Sequence, residues 1–318
     1  DFCLSRGLGD VYKRQELNGI TRPQDVMARA SIAYQAARLK GTGVAVKFSD
    51  DIQKIMMQNQ SIIANFMAAL EEREFQVYYQ PKVNIKNQTI CGAEALVRWQ
   101  RDGKLISPMQ FIPQLEREGS IIKLDYYMLE EVCHFLRKWM DEGHAPICIS
   151  VNFSRKHLDE DDMVEHIVSI LDEHGIAHQY IEIELTESED FQNYEIMTNI
   201  VNELSEAGIG TSMDDFGTGF SSLNMIKKLD LKVIKIDRSF IPLETDYSGK
   251  DKDMIMFCNI VTLLRELGKK TIAEGVETQQ QLRYLENAGC DIVQGYVFDK
   301  PLCEADFRMR LENGYGSC

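Results

Sequence analysis

The sequence predicts an α/β fold in which eight strands close into a (β/α)8 barrel, preceded by an N-terminal appendage of helix and strand. Three observations support it. From Phe75 onward, β-like runs alternate with helical runs, the pattern of a sheet built from βα units. Eight strand runs occur, at Val77–Ile85, Ile90–Trp99, Ile147–Phe153, Ile181–Leu185, Gly210–Asp215, Val233–Asp237, Thr271–Gly275 and Ile292–Phe298. The span from Phe75 to Met309 is close to the ~250 residues typical of such a barrel. A doubly wound open sheet is the competing fold, but no Gly-x-Gly-x-x-Gly turn follows the first strand.

Before the barrel, residues 1–15 hold Gly7 and Gly9 without sustained periodicity and read as a disordered or non-native lead-in; Ser5 to Gln15 resembles a translated cloning or sequencing tail. Arg22 to Lys40 has helical spacing (Val26, Ala30, Ala33, Ala37), and Gly41-Thr-Gly43 leads into a strand at Val44–Phe48. Asp50 to Glu74 then carries Ile52, Ile55, Met56, Ile63, Phe66, Met67 and Leu70 on one stripe of a connecting helix over 51–74. Within the barrel region, helices are expected at Ser154–Glu173, Asn193–Glu206 and Met254–Leu267. The barrel is assigned to 75–312 and a short tail to 313–318.

Composition narrows the function. At 318 residues and 44% hydrophobic the chain can bury a full-sized core. No run of about 18 apolar residues occurs, so no membrane contact is expected from this segment. No secretory leader opens it, and the eight cysteines are scattered without a Cys-x-x-Cys pair, which reads as reduced thiols in the cytoplasm. A formal charge of −15 argues against a polymeric nucleic acid as ligand. A small anion is compatible if divalent cations supply the positive charge. The six histidines include no His-Glu-x-x-His arrangement, so any metal should be oxygen-bound.

The strand ends carry the chemistry. In Gly92-Ala-Glu-Ala-Leu-Val-Arg-Trp99, strand alternation places Glu94, Leu96 and Arg98 on one face: a carboxylate, an apolar platform and a guanidinium. A carboxylate suits a hard cation and a guanidinium a phosphate oxygen. The following strands end in Asn152, Glu184, Asp214 with Asp215, Lys235, Glu274 and Gln294. One such residue would be read as a helix cap; seven consecutive strands ending this way point to a site at one rim. Ile181-Glu-Ile-Glu-Leu185 puts Glu182 and Glu184 on one face, where an unpaired carboxylate is costly and a bound cation is the natural compensation. Adjacent Asp214 and Asp215 suit a bridging multivalent cation, and Gly217 and Gly219 suit a gating loop. Lys235 and Asp237 read as a structural salt bridge.

These residues fall in ordered motifs: Tyr79-Gln-Pro81, Glu94-Ala-Leu-Val-Arg-Trp99, Phe111-Ile-Pro113, Val151-Asn-Phe-Ser154, Glu184-Leu-Thr-Glu-Ser188, Asp214-Asp-Phe-Gly217, Lys235-Ile-Asp237, Ala273-Glu-Gly-Val-Glu-Thr278 and Gln294-Gly-Tyr296. Together they resemble the EAL-domain phosphodiesterases, which hydrolyse cyclic di-GMP. Phe220 and Phe153 depart mildly, standing where the family often has Tyr and Leu. The resemblance implies an EAL-type barrel, leaving room for an antiparallel first strand, and two Mg2+ or Mn2+ ions. Glu94, Asn152, Glu184 and Asp214 would hold one ion, and Asp214 with Asp215 the second. Lys235 would orient the attacking water and Glu274 would act through the metal-bound waters as a proton acceptor, with Asp215 sharing the catalytic centre. Gln80, Leu96, Arg98 and Gln294 would contact substrate, Leu96 against guanine and Arg98 against phosphate. Thr186 and Glu187 would anchor the loop after Asp215. The product would be linear pGpG, and a homodimer is compatible with the family.

Residues 16–50, from Val26-Met-Ala-Arg-Ala to Val46-Lys-Phe48, resemble the C-terminal end of a GGDEF (diguanylate cyclase) domain, without a Gly-Gly-Asp-Glu-Phe signature, and read as its truncated remnant. A non-catalytic cyclic di-GMP receptor is the alternative function. A third reading, another metal-dependent phosphodiesterase on the same barrel, leaves Leu96 and Arg98 without a specific role.

Overall fold

The computed structural model describes residues 23–40, 46–186, 194–216, 229, 231–241 and 252–315. The chain divides into two compact units, Asp1–Glu72 with Met109–Gln114, and Arg73–Pro108 with Leu115–Cys318. In the first, helices α1 (Pro23–Lys40) and α2 (Asp50–Glu71) are as expected, and Ser49 caps α2 by accepting from the Ile52 amide. The strand expected at 44–48 is not borne out over 46–48, which carry no regular structure; 44 and 45 lie outside the described residues. No described helix is long and apolar enough to cross a membrane.

The second unit is the barrel. Its strands are β1 (Phe75–Asn84), β2 (Ile90–Arg101), β3 (Lys104–Ile106), β4 (Cys148–Phe153), β5 (Ile181–Thr186), β6 (Gly210–Phe216), β7 (Val233–Ile236), β8 (Lys270–Glu274) and β9 (Ile292–Gln294). The order β1-β9-β8-β7-β6-β5-β4-β2 closes because β1 also pairs with β2, and β3 extends β2 outside the ring. All eight expected strands form, but the last stops at Gln294 instead of continuing to Phe298. Seven run parallel; β1 is antiparallel to both β2 and β9. Only four residues separate the expected first and second strands, too few for the crossover that parallel neighbours need. Asn84 Oδ1 starts the turn by accepting from the Lys86 amide at 3.0 Å.

Two elements depart from expectation. β2 and β3 form a hairpin through Asp102 (φ 50°) and Gly103 (φ 69°), a two-residue turn whose positive φ values match strand twist. The helix expected over 154–173 is split into a 3-10 turn, Arg155–Asp159, and an α-helix, Met163–Glu173. Ser154 caps the 3-10 turn, and the acidic residues Glu160, Asp161 and Asp162 separate the two.

Because helices cover the ring, the strands are buried on both faces, with Ala93, Glu94 and Ala95 all enclosed. Outside the ring, the helix Ile121–Asp141 packs on β1, β2 and β4, burying Leu124, Leu129, Val132 and Leu136. Phe307, on the last helix (Glu304–Asn313), stacks on Tyr79 of β1 with ring centroids 4.9 Å apart. Both rings are enclosed. Phe307→Ala is therefore expected to cost about 3–5 kcal/mol in urea unfolding; a loss below about 1 kcal/mol would show that the contact does not hold the ring.

Candidate active site

The rim residues converge on one ammonium group. Lys235 Nζ of β7 lies 2.6 Å from Glu184 Oε2 (β5), 2.7 Å from Glu274 Oε1 (β8), 3.1 Å from Asp214 Oδ1 (β6) and 3.3 Å from Glu94 Oε2 (β2). Strand register aligns two pairs of these rim residues, Asn152 of β4 beside Glu184 of β5 and Glu274 of β8 beside Gln294 of β9. The Asn152 amide donates to Glu94 Oε1 at 2.8 Å, and the Gln294 amide donates to Glu94 Oε2 at 2.5 Å and to Gln80 Oε1 at 3.2 Å. Glu94 is thus held by three separate strands besides its own.

A cleft of about 280 Å³, several times the ~30 Å³ share of one water, is lined by Gln80, Glu94, Leu96, Asp214, Lys235, Glu274, Gln294 and Tyr296 among others. Of the residues expected at the site, Asn152 and Glu184 sit behind this lining, bonded to Glu94 and Lys235 respectively. Arg98 is not part of it: its guanidinium donates to the Val97 carbonyl at 2.8 Å and lies 5.6 Å from the Tyr78 ring centre. The side chains of Asp215 and Thr186, and residues Glu187, Gly217 and Gly219, lie outside what is described. The backbone at Asp214-Asp215 carries an irregularity: Met213 pairs with Ile234 and Phe216 with Ile236, one extra residue on β6. Such a bulge interrupts strand alternation next to a site.

Lys235 and Asp237 do not form the expected pair. Lys235 turns into the barrel, while Asp237 Oδ1 accepts from the Ser239 amide at 2.9 Å. The acidic face of β5 has its own cation. Lys82 of β1 reaches Glu182 Oε1 and Glu184 Oε1, each at 2.9 Å, and Ser150 Oγ at 2.8 Å. Reading the sequence missed Lys82, although alternation along β1 puts it on the same face as Gln80.

The electrostatics reflect an excess of negative charge. Five carboxylates (Glu94, Glu182, Glu184, Asp214, Glu274) share the ammonium groups of Lys82 and Lys235. Burial pushes the Glu274 carboxyl up to about 8, with Asp214 and Glu94 adding to the rise and Lys235 opposing it. Burial, then the neighbouring Glu184, raises Glu94 above the usual carboxylate range. Glu184 moves the other way: burial would raise it, but Lys235 and Lys82 together hold it well below that range.

Among the described residues, no three histidine, cysteine or carboxylate side chains gather at chelating geometry. The chemistry of the set nonetheless fits a hard divalent cation. All donors are oxygen, their charge exceeds that of the lysines, and Gln294 Oε1 is buried without a hydrogen-bond partner.

An acidic rim on a barrel with one reversed strand defines a class, and comparison specifies the family. Residues 63–301 match the EAL domain, and the chain belongs to that family. It is 34% identical over 286 residues to the bifunctional diguanylate cyclase/cyclic di-GMP phosphodiesterase MucR of Pseudomonas aeruginosa, covering 90% of this chain and 41% of that one. The structure of the PaMucR phosphodiesterase in complex with c-di-GMP is 36% identical, with a TM-score of 0.70 over 78% of this chain and 99% of the other. The EAL enzyme Bd1971, bound to cAMP and cyclic di-GMP, is 27% identical, with a TM-score of 0.72 over 92% and 77%. The chain spans 41% and 35% of the length of two relatives from P. aeruginosa, MucR and the cyclic di-GMP phosphodiesterase NbdA.

Removing the central ammonium takes away the cation that four carboxylates share. In metal-free buffer, Lys235→Met is expected to lower unfolding stability by about 3–5 kcal/mol; a change under about 1 kcal/mol in urea titration would show that the carboxylates do not depend on it.

Proposed function

We propose that this chain is a cyclic di-GMP phosphodiesterase, opening the cyclic dinucleotide to linear pGpG with divalent cations at the rim. The carrying observation is the convergence of Glu94, Glu184, Asp214 and Glu274 on one buried point beside a cleft. Support comes from the membership in the EAL domain family and from the relative solved with c-di-GMP.

In this reading Glu94, Asn152, Glu184 and Asp214 would hold one Mg2+ or Mn2+, and Asp214 with Asp215 would hold another. Such ions, when bound, would supply Lewis acidity at phosphorus. Lys235, already central among the carboxylates, orients the attacking water through its N–H donors. Glu274, at the cleft wall, accepts that water's proton; burial gives it a proton affinity suited to a base near neutral pH. Gln294 and Asn152 fix the two oxygens of Glu94. Leu96 offers an apolar surface to a guanine, Gln80 lines the same groove, and Arg98 swings from the Val97 carbonyl to a substrate phosphate. Thr186 and Glu187 anchor the loop after Asp215.

Residues 16–50 are read as the C-terminal part of a GGDEF-like domain. The 286-residue match to bifunctional MucR, longer than the 63–301 family match, supports this, as does the helix Pro23–Lys40. The free thiols of Cys91, Cys133, Cys148, Cys258, Cys290 and Cys303 suit a reducing compartment, and we place the domain in the cytoplasm.

Incubation with cyclic di-GMP and Mg2+ should release pGpG, followed by chromatography; tight binding without turnover would overturn the enzyme and favour a receptor. Arg98→Ala should raise KM for cyclic di-GMP about tenfold or more with little change in kcat, as expected for lost ground-state phosphate contact. An unchanged KM would remove Arg98 from the substrate site.

A further inference from the structure

Glu184 is fully enclosed, and its two oxygens are held by different cations. Oε2 meets Lys235 at 2.6 Å, on the side of the cleft, and Oε1 meets Lys82 at 2.9 Å, on the inner side. An ionised carboxylate this deep costs several kcal/mol unless both ends are satisfied. Lys235 is shared among four carboxylates, so Lys82 is the cation on the inner oxygen, with the Ser150 hydroxyl also favouring the ionised carboxylate. Lys82 in turn is fixed from two further directions, by Glu182 Oε1 at 2.9 Å and Ser150 Oγ at 2.8 Å.

Beside this lysine, β2 and β4 pack closely. Lys82 pairs across β1 and β2 with Gly92, which adds no side chain to the inner layer. A Cβ at Gly92 would lie 2.8 Å from the Cys148 carbonyl oxygen and 3.9 Å from Lys82 Cδ, so the strands approach too closely there for any other residue without rearrangement. Lys82 is 5% exposed and does not line the cleft, which excludes it from substrate contact.

We propose that Lys82 is a positioning residue: a buried clamp, itself seated on Glu182 and Ser150, that locks the inner oxygen of Glu184 so that the outer oxygen is presented to the divalent cation. This rests on the proposed function for its cation but assigns a role to a residue outside the rim. Glu182 then serves as the counter-charge that keeps the clamp in place.

The test compares wild type, Lys82→Met and the double variant Lys82→Met/Glu182→Gln by calorimetric titration of Mn2+ without substrate, and by kcat and KM for cyclic di-GMP. The double variant neutralises Glu182, one of the two carboxylates that Lys82→Met deprives of its cation, so the charge imbalance is reduced while the clamp stays lost. Loss of a residue that orients a ligand is expected to weaken Mn2+ binding by about 10–100-fold, with a similar fall in kcat. KM should stay within about threefold, because Lys82 does not reach substrate. A purely electrostatic role predicts the opposite sign, since deleting a buried cation favours another cation nearby. Unchanged or tighter Mn2+ binding in both variants, or wild-type affinity restored in the double variant, would overturn the clamp. A wild-type chain that binds Mn2+ yet leaves cyclic di-GMP intact would overturn the proposed function, and the affinity comparison would still decide the clamp. A wild-type chain that binds no Mn2+ would sink both.

Discussion

The site is organised by the repulsion between carboxylates brought together where water is scarce. Four strands each deliver one to the same point, and the Lys235 ammonium is what lets them coexist there. In bulk water such an arrangement would be worth little; in a barrel interior each unmatched charge costs several kcal/mol. The interior therefore settles into unequal protonation, with Glu184 favoured as a carboxylate and Glu274 and Glu94 drawn toward the neutral acid. Cation binding and proton release are consequently linked, because a divalent ion replaces protons on the same oxygens.

Closure of the barrel serves this charge arrangement. Along the parallel strands, the deeper residue precedes the rim residue, as in Glu182 before Glu184. β1 runs the other way, so Gln80 of the cleft wall comes before the enclosed Lys82. One reversed strand thereby feeds both the cleft wall and the layer beneath it. The Gln294 amide bridges Gln80 and Glu94 across the two neighbours of β1.

Much of this was legible in the sequence because alternation reports facing, and facing in a covered barrel is burial. The positions of all eight strands and the rim residues from Glu94 to Gln294 followed from it. What alternation does not report is partnership. It suggested a pair between Lys235 and Asp237, whereas one enters the ring and the other caps a 3-10 turn. It found the cost of Glu182 and Glu184 but not Lys82, which lies a hundred residues earlier in the chain and meets them only after closure. The Asp102-Gly103 turn was readable from residue type alone but was missed, with the strand expected to end at Trp99 and the structure carrying it to Arg101. Alternation in Val44–Phe48 looked strand-like, but no strand forms over the part described.

The seam that closes the ring is narrow. β1 meets β9 at Val83–Val293 and Asn84–Ile292, reinforced by the Ile85–Asp291 bond and by a two-way bridge between Tyr79 and Leu302. Every one of these contacts joins positions more than two hundred residues apart, the kind that forms late because its loop-closure entropy is the largest. During synthesis the β1–β2 hairpin is available early, yet one edge of β1 must wait for nearly the whole domain to emerge. Until residues 291–302 arrive, that edge is an open strand presenting unpaired amides and carbonyls to any other chain nearby.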